Sequence, residues 1–440
     1  MIAVVVSRED VASLTIRDAL LDEVDWDERD ASSGAWQREW RHSDGGTSED
    51  FVMVEKDGLH LYYDGVDDTL EAVFDVSLVV FVSRHSGDTG PLLTAHHTGN
   101  FGVAEYGGED ASLAVPAPDA ARHLLRRFDE NAPEDFDVCM EATHHGPSEL
   151  AVPSLFAEVG SGEQEWERED AARTVARGVL SLSERDEPRT TVVGVGGGHY
   201  APRFTRVVLE TDAAVGHITA DYALEDLDEG LLREAYETSD ADALLLDGEA
   251  VETPPASVDG LGYPVVTEPH LRERAGVPEE TAEAVEETLG AKSGEAHLTE
   301  RAEDGARKVV RFNAELVREA RNVDAEATNT ALERHALGYV EEGGHVERVA
   351  VAEGEARKLA DALAVVLSSK YDLRVTDETV VLEREVFDAE KARELGVPEG
   401  PAFGKLSAGE KVETDARTVT PDDVHTEERR EFEYVQSPQK

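Results

Sequence analysis

Four times in the first 200 residues a run of apolar residues ends directly in a polar loop carrying histidine. DVSLVVFV leads into SRHS at 83–86, LLTA into HHTGN at 96–100, FDVCMEA into THHGP at 143–147, and TTVVGV into GGGHY at 196–200. Short apolar runs closed by turn residues read as buried strands. Helical periods lie between them: VASLTIRDALL, PDAARHLLRRFDEN and EREDAARTVARGVLSL, the last with apolar residues at 172, 175, 176, 179 and 180. MIAVVVS, PSLFAEVG and ADALLLDG add further strands, and FVMVEKDGLHLYY reads as a hairpin turning at Asp57-Gly58. This alternation predicts an α/β fold, with a mixed or mostly parallel sheet flanked by helices. Ligands of open α/β sheets bind beyond the carboxyl ends of the strands. The four loops are therefore expected to converge, although they are spread over residues 85–199.

From about residue 275 the texture changes. The chain becomes Glu/Ala-rich and helical in EETAEAVEETLG, RHALGYVEEGG and GEARKLADALAVVLSS, then closes with a strand pair, LRVTDETVVLE, and the Gly/Pro segment LGVPEGPAFGKLSAG. The expected division is an α/β domain over 1–270, an acidic helical or α+β domain over 276–425, and a flexible tail over 426–440.

Acidic residues number 96 against 42 basic, a net charge of -54, and only nine of the 42 are lysine. The acid runs through the helices and is not confined to a tail. This pattern fits life in concentrated salt, where the Debye length falls to roughly 3 Å at 1 M and self-repulsion is screened. Charge therefore reports habitat, and a nucleic-acid partner stays open. Arg122, Arg126 and Arg127 could meet phosphate, or simply form a solvated helix face. Cys139 is the single cysteine, which excludes a disulfide framework and a Cys-based zinc site. MIAVVVSRED has no basic n-region, and LVVFV at 78–82 is far short of the ~20 residues of a membrane helix. A cytoplasmic, non-membrane monomer is expected.

Six of the fifteen histidines fall in the four loops: His85, His96, His97, His144, His145 and His199. Imidazole is the commonest metal ligand. Adjacent rings on extended backbone diverge, so one of an HH pair can bind metal while the other faces substrate or a second metal. Glu141 shares face parity with Thr143 and is a candidate ligand, partner of a ligand, or general base. Three such ligands with an open position would make a catalytic zinc site. The alternative is a polar core in which the histidines satisfy one another and loop carbonyls. Gly196, Gly197 and Gly198 could present N–H groups to an oxyanion, or form a tight turn. GxxxxGK[ST], HExxH and GxSxG are absent, which removes P-loop NTPases, zincins and ordinary serine hydrolases.

SRHSG, HHTGNFG, EATHHGP and GVGGGHYAPRFT, in this order and spacing, resemble the archaeal and plant-type D-aminoacyl-tRNA deacylases over about residues 1–270. The resemblance implies zinc dependence and an α/β core like those of peptidyl-tRNA hydrolases and nucleoside phosphorylases. It also implies hydrolysis of the ester between a D-amino acid and the tRNA 3′ end. On that reading His96, His97, His144, His145 and His199 hold up to two Zn²⁺ per subunit, and His85, His97, His199 and Glu141 act in catalysis. Thr98, Gly99, Asn100, Thr143, Gly196, Gly197 and Gly198 would bind substrate. LGVPEGPAFGKLSAGE resembles a short segment of the tRNA 3′-processing endonucleases, without their metal motif. The alternatives are a peptidyl-tRNA hydrolase-like or nucleoside-processing enzyme, and a non-enzymatic tRNA- or metal-binding protein.

Overall fold

A computed structural model describes residues 1–43, 49–292, 294–414 and 416–436. The chain divides into two compact units, Met1–Ala275 and Gly276–Lys440.

The first unit is built on strands β1 (Ile2–Ser7), β2 (Asp27–Arg29), β3 (Arg38–His42), β4 (Phe51–Lys56), β5 (Leu78–Arg84), β6 (Leu92–His96), β7 (Gly99–Asn100), β8 (Ser112–Leu113), β9 (Asp137–Met140) and β10 (Ser154–Gly160). Eight of them form one sheet in the order β2-β3-β4-β1-β5-β10-β6-β9, while β7 and β8 pair separately. The centre is parallel: β1 pairs with β4 and β5, and β5 with β10. β6 runs antiparallel to β10 and parallel to β9, so the sheet is mixed. β1, β5 and β10 are buried almost throughout, which explains their near-continuous apolar sequence.

Helices Val11–Glu23, Pro118–Asn131 and Glu169–Leu180 cover one face, packing Ile16, Leu20, Leu124, Phe128, Val175 and Val179 into a common core. The other face packs Trp36, Tyr63, Leu70 and Phe74 against Val52, Val79 and Phe81. A second, all-parallel sheet holds β11 (Thr190–Val195), β12 (Ala213–Thr219), β13 (Ala243–Leu246) and β14 (Val265–Val266), in the order β12-β11-β13-β14. Met140 and Ala142 share a core with Val192, Phe204 and Ile218 and so tie the two sheets together.

The expected hairpin at Asp57-Gly58 is not formed. β4 pairs parallel with β1, and His60–Tyr62 makes one 3₁₀ turn instead of a return strand. Gly58 takes φ 91° and gives its carbonyl to the Ser7 and Tyr63 hydroxyls, so the Asp-Gly pair ends a strand there.

The second unit contains a five-stranded antiparallel sheet in the order His297–Leu298, Gly338–Glu342, His345–Ala352, Val309–Phe312, Val435–Gln436. Helices Ala314–Arg321, Ala325–His335 and Ala356–Leu367 contribute Leu316, Leu332, Leu359 and Leu363 to its core. RHALGYVEEGG, expected to be helical, leaves the helix at His335 and becomes a strand at Gly338, with Val340 buried. The expected flexible tail is also corrected. His425–Glu433 pairs antiparallel with Thr379–Phe387 along nine residues, and Phe432 and Tyr434 are buried. Those two aromatics anchor a segment whose other residues are mostly charged. Residues 437–440 lie outside the described residues.

Candidate functional site

The loops after β5, β9 and β11 meet at one point, the Glu141 side chain, beside His96 at the end of β6. Glu141 follows β9, is fully buried, and holds Oε1 3.1 Å from His85 Nδ1 and Oε2 3.1 Å from His199 Nε2. His144 Nε2 lies 3.6 Å from the same Oε2. Burial opposes ionisation here, but His199 and His85 beside the oxygens, with His144 and His96 close by, hold the Glu141 carboxyl well below its usual range. Neither oxygen has a donor aligned for a hydrogen bond.

Four imidazoles crowd around this carboxylate, tilted or edge-on to one another. Ring centroids lie 4.3 Å apart for His96 and His144, 4.4 Å for His144 and His145, and 4.5 Å for His144 and His199. Phe156 closes one side, parallel to the His96 ring at 5.2 Å. It sits directly across the β10–β6 ladder from His96. Three of the rings have one nitrogen committed to a backbone carbonyl: His96 Nδ1 to His97 O at 3.1 Å, His144 Nδ1 to Ala142 O at 2.8 Å, and His145 Nδ1 to Gly146 O at 2.7 Å. A carbonyl can only accept, so Nδ1 carries the proton and, in the neutral ring, Nε2 presents a lone pair. That is the tautomer a metal requires. His96 Nε2 is buried with no hydrogen-bond partner. The three Nε2-bearing residues His96, His144 and His145 form a cluster able to hold a metal, as do Glu141, His144, His199 and His85, Glu141, Glu158.

The rings differ in their charge preference. Burial lowers the His144 pKa well below its ordinary value, aided by the neighbouring His96 and His145 charges, and burial lowers His145 to about 3. Burial also disfavours charge on His85 and His96, but Glu141 and Glu158 outweigh it and raise both. The sequence reading missed Glu158. It lies 3.7 Å from His85 and 3.8 Å from His96, and it accepts a 2.6 Å hydrogen bond from Ser83, its partner across the β10–β5 ladder. Its signal was visible: one carboxylate inside the apolar run SLFAEVG. Gly160 gives His85 its room, since a Cβ there would lie 2.7 Å from the His85 ring.

Several expected site residues are turned elsewhere. His97 is fully enclosed, with Nε2 on Val215 O at 3.1 Å and Nδ1 accepting from Ala117 N at 3.4 Å. Both nitrogens are occupied, which leaves it no ligand atom and no access to substrate. Thr143 also faces the second sheet, accepting from Ile218 N and meeting His217 Nδ1 at 3.1 Å. Asn100 donates to the Gly107 and Glu109 carbonyls and braces its own loop. Thr98 is buried, and Gly99 permits the close β7–β8 approach, where a Cβ would lie 2.8 Å from Leu113 Cα. The Gly196 and Gly197 amides donate inward, to Thr219 O and Asp221 Oδ1, so they are not an oxyanion nest. Gly196 is required because a Cβ there would lie 2.0 Å from Asp247 O. Gly198 is exposed and unobstructed.

The cluster opens into a cleft of about 510 Å³ whose lining includes His85, His144, His145, His199, Tyr106 and Tyr200. His199 stands half-buried at its edge, with Nδ1 3.4 Å from the Tyr222 hydroxyl. Tyr200 reaches His85 Nε2 at 3.5 Å.

Fold and site together define an α/β protein with a buried imidazole–carboxylate centre that opens to a cleft. The chain belongs to the D-aminoacyl-tRNA deacylase family. The family's own model matches residues 72–257, which contain every member of the cluster. A D-aminoacyl-tRNA deacylase of Natronomonas pharaonis is 43% identical, covering 99% of this chain and 100% of that protein. One from Halorubrum lacusprofundi is 40% identical over 98% of this chain and 96% of its own length. These halophilic sources agree with the acid-rich, lysine-poor composition. Among solved structures, a conserved protein of unknown function is similar at a TM-score of 0.57 and 33% identity, covering 62% of this chain and 98% of that one.

Proposed function

We propose that the chain hydrolyses the ester joining a D-amino acid to the 3′ end of tRNA, releasing the D-amino acid and free tRNA. The observation that carries this reading is Glu141, ionised in the interior with imidazoles at 3.1 Å on both oxygens, within the segment that matches the family. An aminoacyl ester is already activated, so hydrolysis needs an oriented nucleophile, a proton carrier and a shaped pocket. His199 is placed for the proton. Nε2 faces the Glu141 carboxylate and so carries the ring's proton, which leaves Nδ1, at the cleft edge 3.4 Å from the Tyr222 hydroxyl, as the atom that can take one. As water adds to the carbonyl carbon, His199 takes its proton. As the ester C–O bond breaks, the proton passes to the departing ribose oxygen. His85, held towards its charged form by Glu141 and Glu158, supports the negative charge that develops on the carbonyl oxygen.

The donor set fits zinc: an unpartnered buried His96 Nε2, two further Nε2 lone pairs, and a buried carboxylate without aligned donors. His96, His144 and His145 would hold one ion. His144 Nδ1 is already committed, so its single Nε2 cannot serve two groups at once. Among the described residues His85, Glu141 and Glu158 share no residue with the first group, and a second ion held there would take over the charge-stabilising place given to His85. Zinc held there supplies Lewis acidity, which polarises a water or an ester carbonyl. Selectivity for the D form would come from steric exclusion by the cleft wall. No helix among the described residues is long and apolar enough to cross a membrane. We place the activity on aminoacylated tRNA in the cytoplasm, with the chain acting as a monomer.

The test is release of D-tyrosine from D-tyrosyl-tRNA against release of L-tyrosine from L-tyrosyl-tRNA, in molar KCl, with chelator and with zinc restored. Selective hydrolysis of the D ester, lost on chelation and regained with zinc, is expected. D-selective hydrolysis that survives thorough metal removal would keep the function and overturn the role given to zinc. Hydrolysis of neither ester by folded protein, or activity confined to N-blocked aminoacyl-tRNA, would overturn the function.

A further inference from the structure

Aromatic side chains are mostly buried in this protein. Among the described residues only three are exposed: Tyr62, Tyr106 and Tyr222, at 65%, 63% and 66%. Single exposed aromatics are ordinary, but these three fall in one place. Tyr106 lines the cleft, Tyr222 touches His199, and Tyr62 follows the cleft-lining Leu61. Tyr106 is also tied to the catalytic loop, because its carbonyl accepts from Gly146 N at 3.0 Å. Tyr200, partly buried, continues the row inward, edge-on to His199 at 5.0 Å and to His85 at 5.7 Å.

The charges around the cleft point to the same use. Arg84 is the single arginine or lysine in its lining, and its guanidinium sits over Trp166 at 5.2 Å. The chain as a whole carries a net charge of -54. A polyanion is therefore not drawn in by a basic funnel, and in concentrated salt phosphate contacts would be screened in any case. Stacking of unpaired bases on aromatic rings needs no counterion release and tolerates any base sequence.

We infer that Tyr106 and Tyr222, extended by Tyr62, form a stacking rim for the unpaired bases at the 3′ end of the tRNA. The rim stands in for phosphate-directed cations and holds the ester over His199. This inference rests on the function proposed above, since it takes the tRNA 3′ end as the occupant of the cleft.

The experiment uses the full chain and an RNA minihelix ending in CCA, with 2-aminopurine in place of the terminal adenine. Binding and fluorescence quenching are measured in 1–3 M KCl. Quenching on binding is expected. Tyr106→Ala and Tyr222→Ala should each weaken binding by about 5- to 140-fold, the range of one lost base stack, while Tyr106→Phe and Tyr222→Phe retain it. One phosphate contact through Arg84 implies only about a twofold loss between 1 and 3 M salt, because single-strand binding falls with a slope near 0.7 per contact. Alanine variants that bind like wild type would overturn the rim, as would equal binding of a blunt-ended duplex or a tenfold or steeper salt loss. D-tyrosyl-tRNA hydrolysis by the wild type, assayed in parallel, separates the two claims. Hydrolysis with indifferent alanine variants sinks the rim alone. Absent hydrolysis sinks the function, and the quenching data still decide whether the rim binds RNA.

Discussion

Two groups of histidines meet where β6 ends. His96 points to Glu158, His144 and His145, and His97, the next residue, points to Val215 and His217. In the His97 group every ring nitrogen is satisfied: His217 places Nε2 on Ala114 O at 2.9 Å and Nδ1 on the Thr143 hydroxyl. In the His96 group backbone carbonyls take one nitrogen of each of three rings and leave the other without a donor. A buried polar atom without a partner costs about 1–3 kcal/mol, so His96 Nε2 beside the two Glu141 oxygens marks a place where something else binds. Residue type alone would not have separated the groups, and burial does so only in part, since His144 and His145 are half-buried while His97 and His217 are sealed. The hydrogen-bond inventory does.

The sharpest way to break the comparison is Glu141→Gln. The change keeps the shape and removes the charge that orients His85 and His199, so kcat/KM for D-tyrosyl-tRNA should fall by about 10²–10⁴-fold, the usual worth of a positioned proton-transfer group. Circular dichroism would confirm that the fold is kept. His96→Ala comes next. Zinc affinity, read by competition with a chromophoric chelator, should fall by more than the roughly 10–100-fold typical of partners one step removed from a metal. His97→Leu should leave zinc content unchanged and instead strand Val215 O and Ala117 N, costing about 1–3 kcal/mol in denaturant unfolding.

The smallest effect concerns pH. Burial holds the His217 ring near pKa 3 when folded, below the ~6.5 of an exposed ring, so the unfolded chain takes up its proton first. The contribution of His217 is thus full above pH ~6.5 and is lost as pH falls towards 3. His217→Gln should flatten the pH dependence of the unfolding free energy by up to about 1.4 kcal/mol per pH unit between pH 6 and 4. An unchanged slope would mean that His217 is not held neutral.

Much of this was legible in the sequence because strand ends are legible. Four apolar runs ending in polar loops foretold that their histidines converge, and helix Pro118–Asn131 has the bounds its sequence period predicts. The loops do not share one end of a sheet, however: β6 and β9 run opposite to β5 and β10, and β11 belongs to the second sheet. The period of two along a strand says that His96 and His97 diverge, but not which of them faces the carboxylate. That depends on β10 lying beside β6 and on the second sheet covering the opposite side, pairings that join residues far apart in the chain. Glu158 escaped notice for the same reason, since its meaning comes from Ser83 and His96 on neighbouring strands. The glycine run reads equally as an anion nest or a packing device, and only the approach of Asp247 and Asp221 decides it. Asp57-Gly58 carries a hairpin signal that the parallel pairing of β1 and β4 overrides.

The most direct test of the account is the rate of D-tyrosyl-tRNA hydrolysis by two variants side by side, His144→Ala and His97→Leu. His144→Ala should lose about 100-fold or more, because a lost ligand costs more than the roughly 10–100-fold of groups one step removed from a metal, while His97→Leu turns over like the wild type at temperatures where it stays folded. A folded His97→Leu protein that fails while His144→Ala remains active would contradict it.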